Sequence, residues 1–256
     1  MKYKAYARPQ TLEEADTLVH KKGSVILGGS LWLRMQNRTY ACAVDLSGLG
    51  LDSIEETPEG IRIGASVSLR ALETSPLLDA YAQGAFRTAL SPIVGVQFRN
   101  CATLGGSVCG RFGFSDVLTL LSALDASAVF YRAGTISVRA LAEKGFRNDI
   151  LTHILLPSPA PDAVRYLAQR HSATDFPVMT TSLCLRRNTL SVTVGARPLR
   201  AVTQVIPVSL PLSPASAPEL AETLAQPLVF GSNRMASAEY RKHLCRVLLA
   251  RSLASL

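Results

Sequence analysis

The chain has no CxxC pair, no HxxxH or HExxH spacing, no GxGxxG and no GxxxxGK[ST]. The first two absences remove the usual frameworks for zinc and iron–sulfur centres. The last two disfavour a Rossmann dinucleotide site and a P-loop. Five cysteines, Cys42, Cys101, Cys109, Cys184 and Cys245, are scattered singly and read as buried reduced thiols. Aromatics are scarce at 6%, with a single tryptophan, and do not alternate with basic residues as in nucleic-acid modules. The longest apolar runs are broken by Gly, Arg or Pro well short of a membrane span. Acids are outnumbered, 19 against 27 Lys and Arg, but the net +8 is dispersed, which suits a solvated face or a dock for an acidic partner better than nucleic acid. The N-terminal stretch lacks an apolar signal core, so a cytoplasmic protein is expected.

What is present is globular: 48% hydrophobic residues over 256 positions, enough for one large or two ordinary domains. Thr11 and Glu14 form a capping box ahead of Leu12, Ala15, Leu18 and Val19 at helical spacing. "SVIL" reads as a buried strand, followed by Gly28-Gly29 and a short helix from Leu31 to Met35. "SIEET" and "GIRIGAS" flank a Pro58-Glu59-Gly60 turn as a hairpin. "SLRALETSPLL" reads as a helix capped by Ser68, and the apolar run before Arg99 as a strand. "SDVLTLLSALDA" is a helix capped by Ser115 or Asp116, and "DILTHILLP" a strand. The proline-rich "LPSPAPDA" marks a boundary between domains at 1–157 (subdomains about 1–52 and 53–157) and 162–256. Beyond it lie three strands, a surface loop from Pro207 to Pro218, and two helices, the last with Tyr240, Leu244, Val247 and Leu248 as its core stripe.

Two glycine pairs carry the chemistry: Gly28-Gly29 in "SVILGGSLWLRM" and Gly105-Gly106 in "RNCATLGGSVCGRFGFSD". Glycine removes the Cβ and permits positive φ, so backbone amides can turn inward around a phosphate. A helix starting at each loop would add its positive end, and Ser30 and Ser107 would add hydroxyls. Either pair alone also reads as a tight turn. Asp116 reads either as a helix cap or as an acceptor for a sugar hydroxyl.

These stretches, with "DILTHILLP" and "SAEYRKHLCRVLLARSL", resemble the FAD-binding medium subunit of the molybdenum hydroxylases, the xanthine dehydrogenase and carbon monoxide dehydrogenase flavoprotein family. The resemblance runs in order over nearly the whole chain. It implies an α+β protein: a two-subdomain FAD-binding fold of the vanillyl-alcohol oxidase type, then a small α/β C-terminal flavoprotein domain. It implies FAD held by a first loop of Val25, Ile26, Leu27, Gly28, Gly29, Ser30, Leu31 and Trp32, with Gly28, Gly29 and Ser30 at the diphosphate. The second loop would be Thr103, Leu104, Gly105, Gly106 and Ser107, with Asp116, Ile93 and Leu151 as further cofactor contacts. No side chain is expected to act as acid or base and no metal to bind. The implied role is an electron-transfer oxidoreductase subunit working with iron–sulfur and molybdenum-cofactor subunits, with NAD as acceptor. The chain departs from the family where many relatives carry a lysine after Tyr166; here Leu167 and Ala168 follow. Two rivals are a self-contained flavin oxidoreductase and a structural subunit without flavin.

Overall fold

The computed structural model describes residues 1–145 and 148–256. The first layer is a small parallel sheet built from β1 (Lys2–Ala7), β2 (Ser24–Leu27) and β3 (Thr39–Asp45), ordered β1-β3-β2. Helix α1 (Leu12–Val19) connects β1 to β2. Thr11 caps it by accepting from the Glu14 N–H at 3.2 Å, while the Glu14 carboxylate reaches back to the Gln10 N–H, one residue before the cap. Its apolar face, Leu12, Ala15, Leu18 and Val19, packs with Ile26, Val44, Leu46 and Ile150.

The second layer opens with the expected hairpin, β4 (Ile54–Thr57) and β5 (Gly60–Gly64). Six short helices follow: α2 (Leu69–Thr74), α3 (Pro76–Ala82), α4 (Ala85–Leu90), α5 (Val96–Cys101), α6 (Leu104–Cys109) and α7 (Asp116–Ala123). Then come β6 (Ser127–Phe130), β7 (Gly134–Ser137), α8 (Val138–Lys144) and β8 (Leu151–Pro157), completing an antiparallel sheet ordered β4-β5-β8-β6-β7. Two expectations change here. The helix read after Ser68 is two helices, because Ser75 stops one and caps the next while Pro76 enters the first turn of α3. The run before Arg99, read as a strand, is helix α5. Its alternating "VGVQF" mimics a strand, but Arg99 is drawn inward, donating to the Glu73 carboxylate at 2.7 Å and the Ile93 carbonyl at 2.9 Å.

The C-terminal layer is an antiparallel sheet of β9 (Ala163–Gln169), β10 (Met179–Arg186), β11 (Thr189–Gly195) and β12 (Val202–Pro207), ordered β12-β11-β10-β9 and covered by α9 (Ala217–Ala225) and α10 (Ala238–Leu253). Strand β12 was not foreseen, since none of its residues is fully buried and only Val202 and Ile206 pack against the core. On α10 Leu244 and Leu248 of the expected stripe are buried, but Val247 is only partly so and the buried face starts one residue later. Tyr240 is exposed and Arg241 is buried, its guanidinium donating to the carbonyls of Val178 and Ala196 and to Asn233 Oδ1. Helix α7, buried along its whole length, joins the layers by packing on β10 and β11, where the Thr119 and Thr180 hydroxyls meet at 3.0 Å. Among the described residues no helix is long and apolar enough to cross a membrane.

Candidate cofactor site

A cavity of about 1010 Å³ runs between the first two layers, at the upper end of the usual range for small-molecule sites. Both glycine loops line it. The first follows β2 directly, and only a short 3₁₀ turn (Leu33–Met35) stands where a helix was expected. Among the described residues the backbone N–H groups of Gly28, Gly29, Ser30 and Leu31 have no hydrogen-bond acceptor. Ser30 adopts a left-handed conformation, φ 57°, an ingredient of anion-binding concavities. Unpaired amides beside a cavity are unfavourable unless solvent or a ligand accepts from them.

The second loop is built differently. Gly105 and Gly106 lie inside the first turn of α6 rather than before it. The amides at this turn are committed within the protein: Leu104 N–H donates to the Val67 carbonyl at 2.8 Å and Gly105 N–H to the Ala65 carbonyl at 2.7 Å. Gly106 N–H donates to the Thr103 hydroxyl oxygen at 3.1 Å, the helix cap. This turn therefore supplies shape and hydroxyls, not the inward-turned amides expected of it.

None of the four glycines has positive φ. They are needed for close approach. A Cβ on Gly29 would lie 1.8 Å from the Cys101 carbonyl oxygen, and one on Gly28 would lie 2.6 Å from Thr103 Oγ1. The first pair thus lets its loop rest against the α5–α6 corner. A Cβ on Gly105 would meet the Ala65 carbonyl at 2.9 Å, whereas Gly106 is exposed toward the cavity.

Of the residues assigned from sequence, Val25, Ile26, Leu27, Gly28, Gly29, Ser30, Leu31, Trp32, Thr103, Gly105, Gly106, Ser107 and Leu151 line the cavity together. Three fall outside the lining. Leu104 is fully buried beneath it, and Ile93 packs on the core with its carbonyl held by Arg99. Asp116 neither caps α7, a task performed by Ser115, nor faces the cavity. Its carboxylate accepts from the Tyr166 hydroxyl and the Arg170 guanidinium, each at 2.5 Å, joining α7 to the C-terminal layer. Burial pushes this carboxyl up, opposed by Arg170 and the two hydrogen bonds. Leu167 and Ala168 also lie outside the lining, packed on the two main cores.

The sequence reading missed Lys21, Lys22, Arg38 and Tyr40, around the starts of β2 and β3, and Cys109, Arg111 and Phe112, at and just after the end of α6. The last three sit inside the stretch that drew attention, so position relative to Gly106 was their only signal. Burial raises the Cys109 thiol to about 12, leaving it unreactive. Arg111 donates to the Ala142 and Glu143 carbonyls, both at 3.1 Å, and ties α6 to the end of α8. Asp149, the carboxylate in the lining, accepts from the N–H groups of Arg132, Ala133 and Ile150 and holds a turn. Among the described residues no group of three metal-ligating side chains converges.

A cavity of this size, with unpaired amides in one loop and a side-chain-free glycine exposed in the other, suits a dinucleotide held without the Rossmann fingerprint. Residues 1–159 match the family described as the FAD binding domain in molybdopterin dehydrogenase, and the chain belongs to that family. FAD is the cofactor of that domain, and the residues present fit it: the amides of Gly28 to Leu31 can receive a diphosphate, and Gly106 leaves room for it. The uncharacterized protein YgfM of Escherichia coli K12 is 33% identical over 158 residues, 60% of this chain and 59% of YgfM. The nicotinate dehydrogenase FAD-subunit of Eubacterium barkeri is 25% identical over 194 residues, 67% of this chain and 65% of the subunit. The chain thus matches less than two thirds of the length of each. The fold is shared with quinoline 2-oxidoreductase from Pseudomonas putida 86 (TM-score 0.85, 19% identity, 98% of this chain and 95% of that one). It is shared equally with carbon monoxide dehydrogenase from Hydrogenophaga pseudoflava (TM-score 0.86, 17% identity, 97% and 95%).

Proposed function

We propose that this chain is the FAD-carrying electron-transfer subunit of a multi-subunit molybdenum hydroxylase. The observation that carries the reading is the first glycine loop, whose four unpaired amides line the cavity of an FAD-binding family domain. When bound, FAD supplies the ability to exchange electrons singly or in pairs. The chain's own part is to fix and shield it. Gly28 to Leu31 hold the diphosphate, Thr103 offers a hydroxyl across from them, and Val25 to Leu27 and Leu151 give apolar walls. With Asp149 and Cys109 occupied or inert, a relay role suits this lining better than acid–base chemistry on a substrate.

Electrons would then reach the cofactor from an iron–sulfur subunit, fed by a molybdenum-cofactor subunit, and leave to an acceptor such as NAD. The names of two matched proteins favour this place in a complex: one is a dehydrogenase FAD-subunit, and the other a carbon monoxide dehydrogenase solved without the Mo-pyranopterin moiety of its molybdenum cofactor. The net charge of +8 would steer an acidic partner toward the chain. The purified chain should be yellow, release FAD on denaturation, contain no iron, and co-purify from its host with iron–sulfur and molybdenum subunits. Stoichiometric iron in the isolated chain, or full dehydrogenase turnover without partners, would overturn the assignment.

A further inference from the structure

The chain is poor in aromatics, yet its one tryptophan and three of its eight phenylalanines meet at one place. Trp32 follows the first glycine loop, Phe112 and Phe114 lie between α6 and α7, and Phe176 lies between β9 and β10. Ring centroids are 4.8 Å apart for Trp32–Phe112, 5.2 Å for Phe112–Phe114 and 4.5 Å for Phe114–Phe176. Trp32 and Phe112 line the large cavity, and Phe114 and Phe176 line a smaller one of about 230 Å³ beside it.

This cluster is incompletely covered: Trp32 is 37% exposed and Phe176 43%. Large aromatic faces left open at the mouth of a cavity mark a binding surface more often than a packing defect. Lys21, Lys22 and Arg38, which precede β2 and β3, line the cavity away from the glycine loop that follows β2, and cationic side chains of this kind can lie over a nucleobase. The aromatic cluster suits a wide apolar ring, and it lies partly exposed where an N-terminal loop meets the C-terminal layer.

We propose that Trp32, backed by Phe112, Phe114 and Phe176, is the platform on which the flavin ring of FAD stacks, with the adenine half directed toward Lys21 and Arg38. This rests on the FAD reading above. It assigns the ring a partner that is electron-rich, so the indole sits in contact with an electron-poor ring system.

Flavin emission excited in its own blue absorption band tests the contact, because an indole touching the excited ring quenches it by donating an electron that returns at once. The measurement is made on holoprotein of wild type, Trp32→Leu and Trp32→Phe, with FAD content determined separately after denaturation. Wild type should emit weakly per bound FAD. Both variants should emit several-fold more per bound FAD, since neither leucine nor phenylalanine donates as indole does. Trp32→Phe preserves an aromatic surface and keeps the test valid if the leucine variant loses FAD. Unchanged emission per bound FAD in a variant that retains the cofactor would overturn the platform and leave the FAD site standing. A wild-type chain that binds no FAD would overturn both.

Discussion

The two glycine pairs read alike in sequence and do opposite work. Around Gly28-Gly29 the backbone amides are unpaired and the glycines exist so that the loop can touch the Cys101 carbonyl and the Thr103 hydroxyl. Around Gly105-Gly106 the amides of Leu104 to Ser107 are paired, to Val67, Ala65 and Thr103, and the corner is stitched into the second layer. One loop is a donor and the other is a rigid surface it leans on. Identical dipeptides can thus divide a binding task, and counting glycines does not reveal which loop holds charge. What separates them is whether neighbouring carbonyls have already taken the N–H groups.

The largest expected effect comes from Gly29→Ala. Its Cβ would stand 1.8 Å from a backbone carbonyl oxygen, which cannot swing away as a side chain could. The loop must lift from the α5–α6 corner, so bound FAD should fall to background and the melting temperature should drop as well. Gly106→Val is the contrasting change: Gly106 is exposed, has no positive φ, and its Cβ would meet only the Thr103 hydroxyl at 3.1 Å. It should lose FAD through obstruction while melting near the wild-type temperature. FAD absorbance after denaturation and a thermal melt of each variant read both effects. Full FAD in Gly29→Ala would break the comparison.

Much of this was legible in the residues. The Thr11–Glu14 cap and the Pro58–Gly60 hairpin follow from local chemistry, because caps and turns are decided by near neighbours, whereas the glycine-loop positions were picked out by the family resemblance. Helix α5 was not, since Arg99 turns inward to Glu73, a partner 26 residues away. Asp116 was misjudged for the same reason: Tyr166 and Arg170, 50 and 54 residues on, capture its carboxylate. The later start of the buried face on α10 likewise depends on carbonyls of Val178 and Ala196 that no local pattern announces. Distant polar partners, not apolar periodicity, account for these departures.

Arg99 sharpens the comparison from the side of the rigid corner. Its side chain is 6% exposed and that of Glu73 is 7%, so the pair is buried, and Arg99 also holds the Ile93 carbonyl. Arg99→Met should destabilise by about 3–5 kcal/mol by leaving a buried carboxylate short of its partner. Burial acts to raise the Glu73 carboxyl, yet the hydrogen bonds from Arg99 and Arg70 win and hold it below its ordinary value of 4.5. A depressed carboxylate stabilises the fold above that value and loses the contribution as pH falls through the folded-state value. In Arg99→Met burial dominates, so protonation relieves the strain and the gap from wild type should narrow in acid. Urea denaturation of both proteins at neutral and mildly acidic pH measures this; a gap that widens in acid would contradict the assignment.

The smallest expected effect is at Thr103, where the two loops touch. Its hydroxyl oxygen accepts from Gly106 N–H, and the same oxygen is what a Cβ on Gly28 would strike. Thr103→Ala removes a cap, which costs about 1 kcal/mol, and frees the Gly106 N–H toward the cavity. In the FAD-loaded protein a ligand oxygen can accept that N–H, and a ligand held by the native state stabilises it. The loss should therefore be smaller with FAD than without, and Thr103→Ser, which keeps the oxygen, should show little loss in either form. FAD binding itself should weaken far less than in Gly29→Ala, because the donors proposed to face the diphosphate belong to the other loop. If Thr103→Ala released FAD as completely as Gly29→Ala while Thr103→Ser retained it, the hydroxyl would be a primary ligand contact, and the division between a donor loop and a rigid surface would have to be redrawn.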